Sequence, residues 1–244
     1  MRTPETNAER LVTFTDAVAA IAITLLVLPL VDLVPAASAS GESLGALLSG
    51  HGDEILAFTI SFVVIARLWW AHHQVFRHVA LLTPRLVLES MVWTFTIVVL
   101  PLPTAIITAY STTPLSLTLY IGTLIVASAA LTAVAVELRV RPELSGDHEP
   151  MRPSGVLGIV LTLVAFVLAL LAGLLIPGVG FWGMLLAAVT GWVQVVVERR
   201  WDRQGADRAA AGGTPDPAAS SAAAAVPSAT SGDNEHGQAA DPRS

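Results

Sequence analysis

The 244-residue sequence contains no cysteine, so a disulfide framework, a cysteine-ligated iron–sulfur cluster and a thiol nucleophile are all excluded. Lysine is absent too; all 13 basic residues are arginine, a choice that GC-rich coding explains as well as function does. Charge of either sign is scarce, at 13% of residues with a net of −6, and no basic stripe with interleaved aromatics occurs, which argues against nucleic acid as a partner. What remains is apolar. Hydrophobic residues make up 54% of the chain and the mean hydropathy is +0.68, the signature of an integral membrane protein.

A helix rises about 1.5 Å per residue and the bilayer hydrocarbon is roughly 30 Å thick, so a span needs about 20 mostly apolar residues. Six segments meet that requirement, at approximately 11–30, 54–76, 86–108, 115–137, 155–176 and 179–198. Open strands would leave backbone groups unsatisfied in lipid, so the spans are expected to be helices and the fold all-α. The arginines sort by loop: Arg2 and Arg10 precede the first span, Arg77 and Arg85 follow the second, Arg139, Arg141 and Arg152 lie between the fourth and fifth, and Arg199, Arg200, Arg203 and Arg208 follow the sixth. Stretches 31–53, 109–114 and 177–178 contain none. Retention of arginine on the cytoplasmic side then places both termini there, in a multi-pass protein of the cell membrane. The expected organisation is a cytoplasmic N-terminus (1–10), a six-helix domain (11–201) and a tail (202–244) whose Ala, Gly, Pro and Ser content predicts disorder. Ala37-Ser38-Ala39 resembles a signal-peptidase site, but the preceding run is longer than an ordinary signal core, Asp16 interrupts it, and Glu5 and Glu9 dilute its positive flank. No internal repeat is evident.

Four features are out of place in apolar spans: Asp16, Arg67, the cluster WWAHHQVF at 69–76, and the proline pair of Leu100-Pro101-Leu102-Pro103-Thr104. A carboxylate below the membrane surface needs donors, and Arg10, Trp69, His72 and His73 reach a similar depth if the first two helices pack antiparallel. Adjacent histidines point about 100° apart on a helix. His72 and His73 therefore fit a hydrogen-bonded polar cluster better than a metal or haem site, and no metal or cofactor is expected. In the first helix Ile21, Leu25 and Leu28 recur at i, i+4 and i+7, with Thr24 beside them, a stripe that ordinary packing also produces.

These residues carry a resemblance. The stretch RLVTFTDAVAAIAITLLVL is similar to the Arg-x-x-x-Phe-Ser-Asp motif, and the apolar run after it, of the prokaryotic relatives of the lysosomal potassium channel. Arg10, Phe14 and Asp16 match, and Thr15 stands for the usual serine. Ser61-Phe62 with Trp69, His72, His73 and Phe76 resembles the second motif, and Pro101-Leu102-Pro103-Thr104 the third. Leu102 replaces a phenylalanine, and Ser90 stands where an asparagine is common. The resemblance covers residues 10–108 by motif. It implies a homotetramer of six-helix subunits in the lipid bilayer, with a potassium-conducting pore built by oligomerisation from four copies of helix 1. It also implies an apolar constriction lined by Ile21, Leu25 and Leu28, with Thr24 nearby. Arg10, Phe14, Thr15, Asp16, Ser61, Trp69, His72 and His73 are then expected to form the network, between helices or between subunits, that holds helix 1 in place. It offers no role for Arg67.

Two other classes are weighed against a channel. An ion- or proton-coupled transporter would use Asp16, His72 and His73 as carriers, but would ordinarily show inverted repeats. A membrane enzyme finds no Ser-Lys pair, no His-Glu-x-x-His and no paired intramembrane aspartates, and Glu89 and Glu137 fall near helix ends.

Overall fold

The structure, a computed structural model, describes residues 4–110 and 113–176. The chain divides into two units, Met1–Glu198 and Arg199–Ser244, and every described residue belongs to the first. The expected sixth helix at 179–198 and the tail at 202–244 lie outside the described residues.

All regular structure among the described residues is helical, and five helical stretches are long and apolar enough to cross a membrane. The first is longer than the expected 11–30. Helix α1 (Pro4–Leu25) runs through a turn into α2 (Leu28–Ala39), and together they form an apolar span over 7–39. Its start lies earlier because Glu5 falls in the first helical turn, where the dipole favours an acid. It ends later because Pro29 falls in the first turn of α2, where its missing N–H costs nothing. Val27 keeps right-handed helical backbone (φ −78°, ψ −18°), and Val31 N–H donates to its carbonyl at 3.1 Å, so the break is a kink and not an end. The expected loop at 31–53 accordingly holds the rest of α2 and a short helix α3 (Leu44–Gly50), whose first turn Ser43 caps by accepting from Ala46 N–H.

Helix α4 (Gly52–Phe76) is the second span. Helices α5 (Pro84–Val99) and α6 (Pro101–Ala109) make the third, interrupted at Leu100 because Pro101 and Pro103 supply no N–H to the turn before them. Helix α7 (Pro114–Val140) opens on a reciprocal cap between Thr113 and Ser116; a 3₁₀ turn, Pro142–Ser145, follows it, and α8 (Pro153–Leu175) completes the set. Helix α7 is the most buried span, packed chiefly against α5 and α8. Gly173 on α8 leaves room for the side chain of Leu117, whose Cδ2 a Cβ there would overlap.

The arginine-bearing connections meet at one end of the bundle. The amides of Ala80 and Leu81, after α4, both donate to the carbonyl of Leu144, after α7, at 2.9 and 3.0 Å. Gly146 adopts φ +53° there, and a Cβ on it would lie 2.9 Å from that of Ala80. Only glycine suits both conditions. Arg85 of α5 reaches the buried Glu137 of α7 at 3.2 Å and Glu89 at 2.9 Å, while Arg141 and Thr83 approach the other Glu137 oxygen at 3.3 Å. The two carboxylates considered for catalysis are thus engaged by helix-end partners.

Candidate functional site: the inner and outer faces of the first span

Helix α1 has two contrasting faces. At 100° per residue, Ala8, Thr15, Ala19, Ala22 and Leu26 fall within one sector of about 60°, and all five are buried. Four of them are small, which brings the helix close to its neighbours α4, α5 and α6. Phe14, Ile21, Leu25 and Leu28 occupy a second sector about a third of a turn away. All are large, apolar and exposed: Ile21 is 60% accessible, against 1% for Ala22 beside it. Thr24 is exposed on the same side and donates its hydroxyl to the carbonyl of Ile21 at 2.7 Å. The predicted stripe of Ile21, Thr24, Leu25 and Leu28 is therefore left uncovered by the described residues.

Asp16, half-buried, lies beside the small-residue face, on the side away from the stripe. The indole Nε1–H of Trp69 on α4 donates to its Oδ1 at 2.8 Å, and His73 Nδ1 stands 3.8 Å from its Oδ2. This contact fixes the rotation of α1 against α4 within a single chain. Of the other expected partners, His72 does not join it, and Arg10 forms no hydrogen bond or ion pair among the described residues. The spacing explains the histidines, since adjacent side chains diverge on a helix. His73 turns toward Asp16 while His72 turns into the core, where it stacks between Phe76 and Trp93 with ring centroids 4.3 and 4.1 Å away. Its one hydrogen-bond partner among the described residues is Ser90, at a long 3.4 Å. Thr15, fully buried, spends its hydroxyl on the carbonyl of Val12 at 2.8 Å, and Phe14 points outward. Arg67 sits half-buried on α4.

Ser61 belongs to a separate cluster deeper in the bundle. The Thr104 hydroxyl donates to the carbonyl of Leu100 at 2.9 Å and therefore accepts from Ser61 at 3.0 Å; Ser61 in turn accepts from Tyr120 at 3.2 Å. Three hydroxyls thus run in one direction from α7 through α4 to the proline-interrupted helix, each satisfied in an apolar interior. Thr104 lay within a motif already singled out, but Tyr120 carried no signal: a tyrosine in an apolar run reads as packing until its hydroxyl partner is placed.

An open groove of about 570 Å³ between α5 and α7 is lined by Met91, Phe95, Val99, Leu119 and Val126 among others. Its threonines, Thr96, Thr118 and Thr123, donate to carbonyls of their own helices, so it offers no polar chemistry. Among the described residues no three acidic or histidine side chains gather as metal ligands do.

The model of the endosomal/lysosomal potassium channel TMEM175 family matches residues 10–101, the stretch that carries α1, Asp16, Trp69 and both histidines. A potassium channel from Streptomyces collinus is 37% identical over 101 residues, 41% of this chain and 48% of that one. The endosomal/lysosomal proton channel TMEM175 of Homo sapiens is 42% identical over 78 residues, 30% of this chain and 16% of its own length. The alignments thus span about half the length of the bacterial relative and about a sixth of the human one. Among solved structures, a lysosomal potassium-selective channel TMEM175 homolog from Chamaesiphon minutus shares the fold, with TM-score 0.53 and 21% identity over 78% of this chain and 97% of that one. Together with the five apolar helices, these likenesses make the chain a multi-pass membrane protein.

Proposed function

We propose that this chain, a relative of the TMEM175 channels through residues 10–101, is one subunit of a homotetrameric cation channel of the cell membrane, with four copies of α1 around a central pore conducting potassium passively. One observation carries the reading: Phe14, Ile21, Leu25 and Leu28 form an exposed apolar stripe about a third of a turn from the face of small residues that fixes the helix to its own subunit. A closed ring of copies gives that stripe an interior to line. The ring of Ile21 is then an apolar constriction that strips part of an ion's hydration, a cost lower for potassium than for the more tightly hydrated sodium. Asp16 is a positioning residue, held by Trp69, which sets the angle at which α1 presents Ile21.

The test is current through the purified protein in planar bilayers under a potassium-to-sodium gradient, with Ile21→Asn beside the wild type. A reversal potential on the potassium side that shifts in the variant supports the pore. Slow flux that saturates, with no unitary current, overturns it in favour of a transporter using Asp16, His72 and His73. A second permeant ion, the proton, is favoured by the name the vertebrate relatives bear, and the same bilayers under a pH gradient measure it.

A further inference from the structure

We propose that Asp32 is a conductance-determining residue: one carboxylate per subunit forms a ring at the arginine-free mouth of the pore and raises the local concentration of cations entering it. This rests on the pore reading above. At 100° per residue, Asp32 falls in the same sector as Phe14, Ile21, Leu25 and Leu28, four residues or about 6 Å beyond Leu28. The phase survives the kink, because Val27 stays in helical conformation and the amides of Leu30 and Val31 both donate to its carbonyl, at 3.0 and 3.1 Å.

Asp32 is exposed and has no ion-pair partner among the described residues. The other acids at this end have local reasons for their place. Asp53 and Glu54 occupy the first turn of α4, where the helix dipole favours them, and Glu54 is also bound by His51 at 3.1 Å. Glu42 lies in the connection after α2. Of these acids, Asp32 is the one that lies inside an apolar span and away from its end turns, where a carboxylate without a partner is costly against lipid and is hydrated only if it faces water. No arginine in 31–53 or 109–114 opposes its field. A ring of such charges is a known way of enriching cations at a pore entrance.

The experiment measures unitary conductance of the full-length protein in neutral-lipid bilayers for wild type, Asp32→Asn and, as a control off the stripe, Glu42→Gln. In about 10 mM KCl, Asp32→Asn is expected to lower current entering from its own side about two- to fivefold. Near 1 M KCl, where the screening length has fallen to about 3 Å, the difference should vanish. Because the chain has no cysteine, Asp32→Cys carries its sole thiol, and an anionic methanethiosulfonate added from that side should restore the lost current while a cationic one lowers it further. Unchanged conductance at low salt in Asp32→Asn, with Ile21→Asn still shifting the reversal potential, overturns the ring and leaves the pore standing. If Ile21→Asn also changes nothing, it is the pore reading that has failed.

Discussion

The two faces of the first span are both largely apolar, yet one is mostly small and buried while the other is large and exposed. Hydrophobicity does not separate them; size does. In lipid there is little hydrophobic gain from burying one apolar face over another, so close approach of backbones decides which side packs inward. Ala8, Thr15, Ala19 and Ala22 allow that approach, and Phe14, Ile21, Leu25 and Leu28 are left for another surface.

Enlarging the inner face should have the largest effect. Ala19→Leu combined with Ala22→Leu forces two side chains into positions only about 1% accessible, at about 1–3 kcal/mol each. Loss of a monodisperse species in detergent, with a lowered unfolding temperature, is the expected result. Next comes the contact that sets the helix's rotation. Asp16→Ala leaves the Trp69 indole N–H without its acceptor, and a destabilisation of about 1–2 kcal/mol should appear in the same melt, with weaker assembly. Gly146→Ala probes the arginine-bearing end, far from the outer face. Its positive φ and its approach to Ala80 predict about 1 kcal/mol of destabilisation, with ion preference unchanged.

Ile21→Ala sharpens the comparison from the other side. It removes bulk from an exposed position, so stability should move by no more than about 0.5 kcal/mol while conduction changes. A destabilised fold with normal current would reverse the roles assigned to the two faces. The smallest effect lies in the connection before α8, where Arg152 bonds Glu149 at 2.9 Å and holds its carboxyl below the usual range. With the folded value depressed, this pair helps the connection above the ordinary carboxylate pKa and is lost as pH falls through the lowered one. Arg152→Gln should return the Glu149 titration, followed by NMR, toward its ordinary value.

Much of this was legible in the sequence because lipid imposes simple rules. Length and hydropathy marked spans that overlap all five observed ones, and the stripe of Ile21, Leu25 and Leu28 followed from spacing alone. Their ends were harder to see. The first span was expected to end at 30, yet a proline in a first helical turn permits helix, and α2 continues to Ala39. The polar network was legible as a set and not as a pairing. Asp16, Trp69, His72, His73 and Ser61 stood out together because each is costly in lipid, but they divide among three separate clusters.

The sequence by itself determined that the chain is helical and membrane-spanning, that its arginines gather on alternate connections, and that one face of the first span is a regular apolar stripe; periodicity and the cost of polar groups in hydrocarbon suffice for these. Only the tertiary structure decided that this stripe is the face the other described residues leave uncovered, that Trp69 and His73, and among the described residues neither Arg10 nor His72, pair with Asp16, and that Tyr120 completes a hydroxyl chain through Ser61 to Thr104. A hydrogen bond depends on rotation and depth to within an ångström, and those are set by how small residues let helices approach, which no single helix's sequence contains.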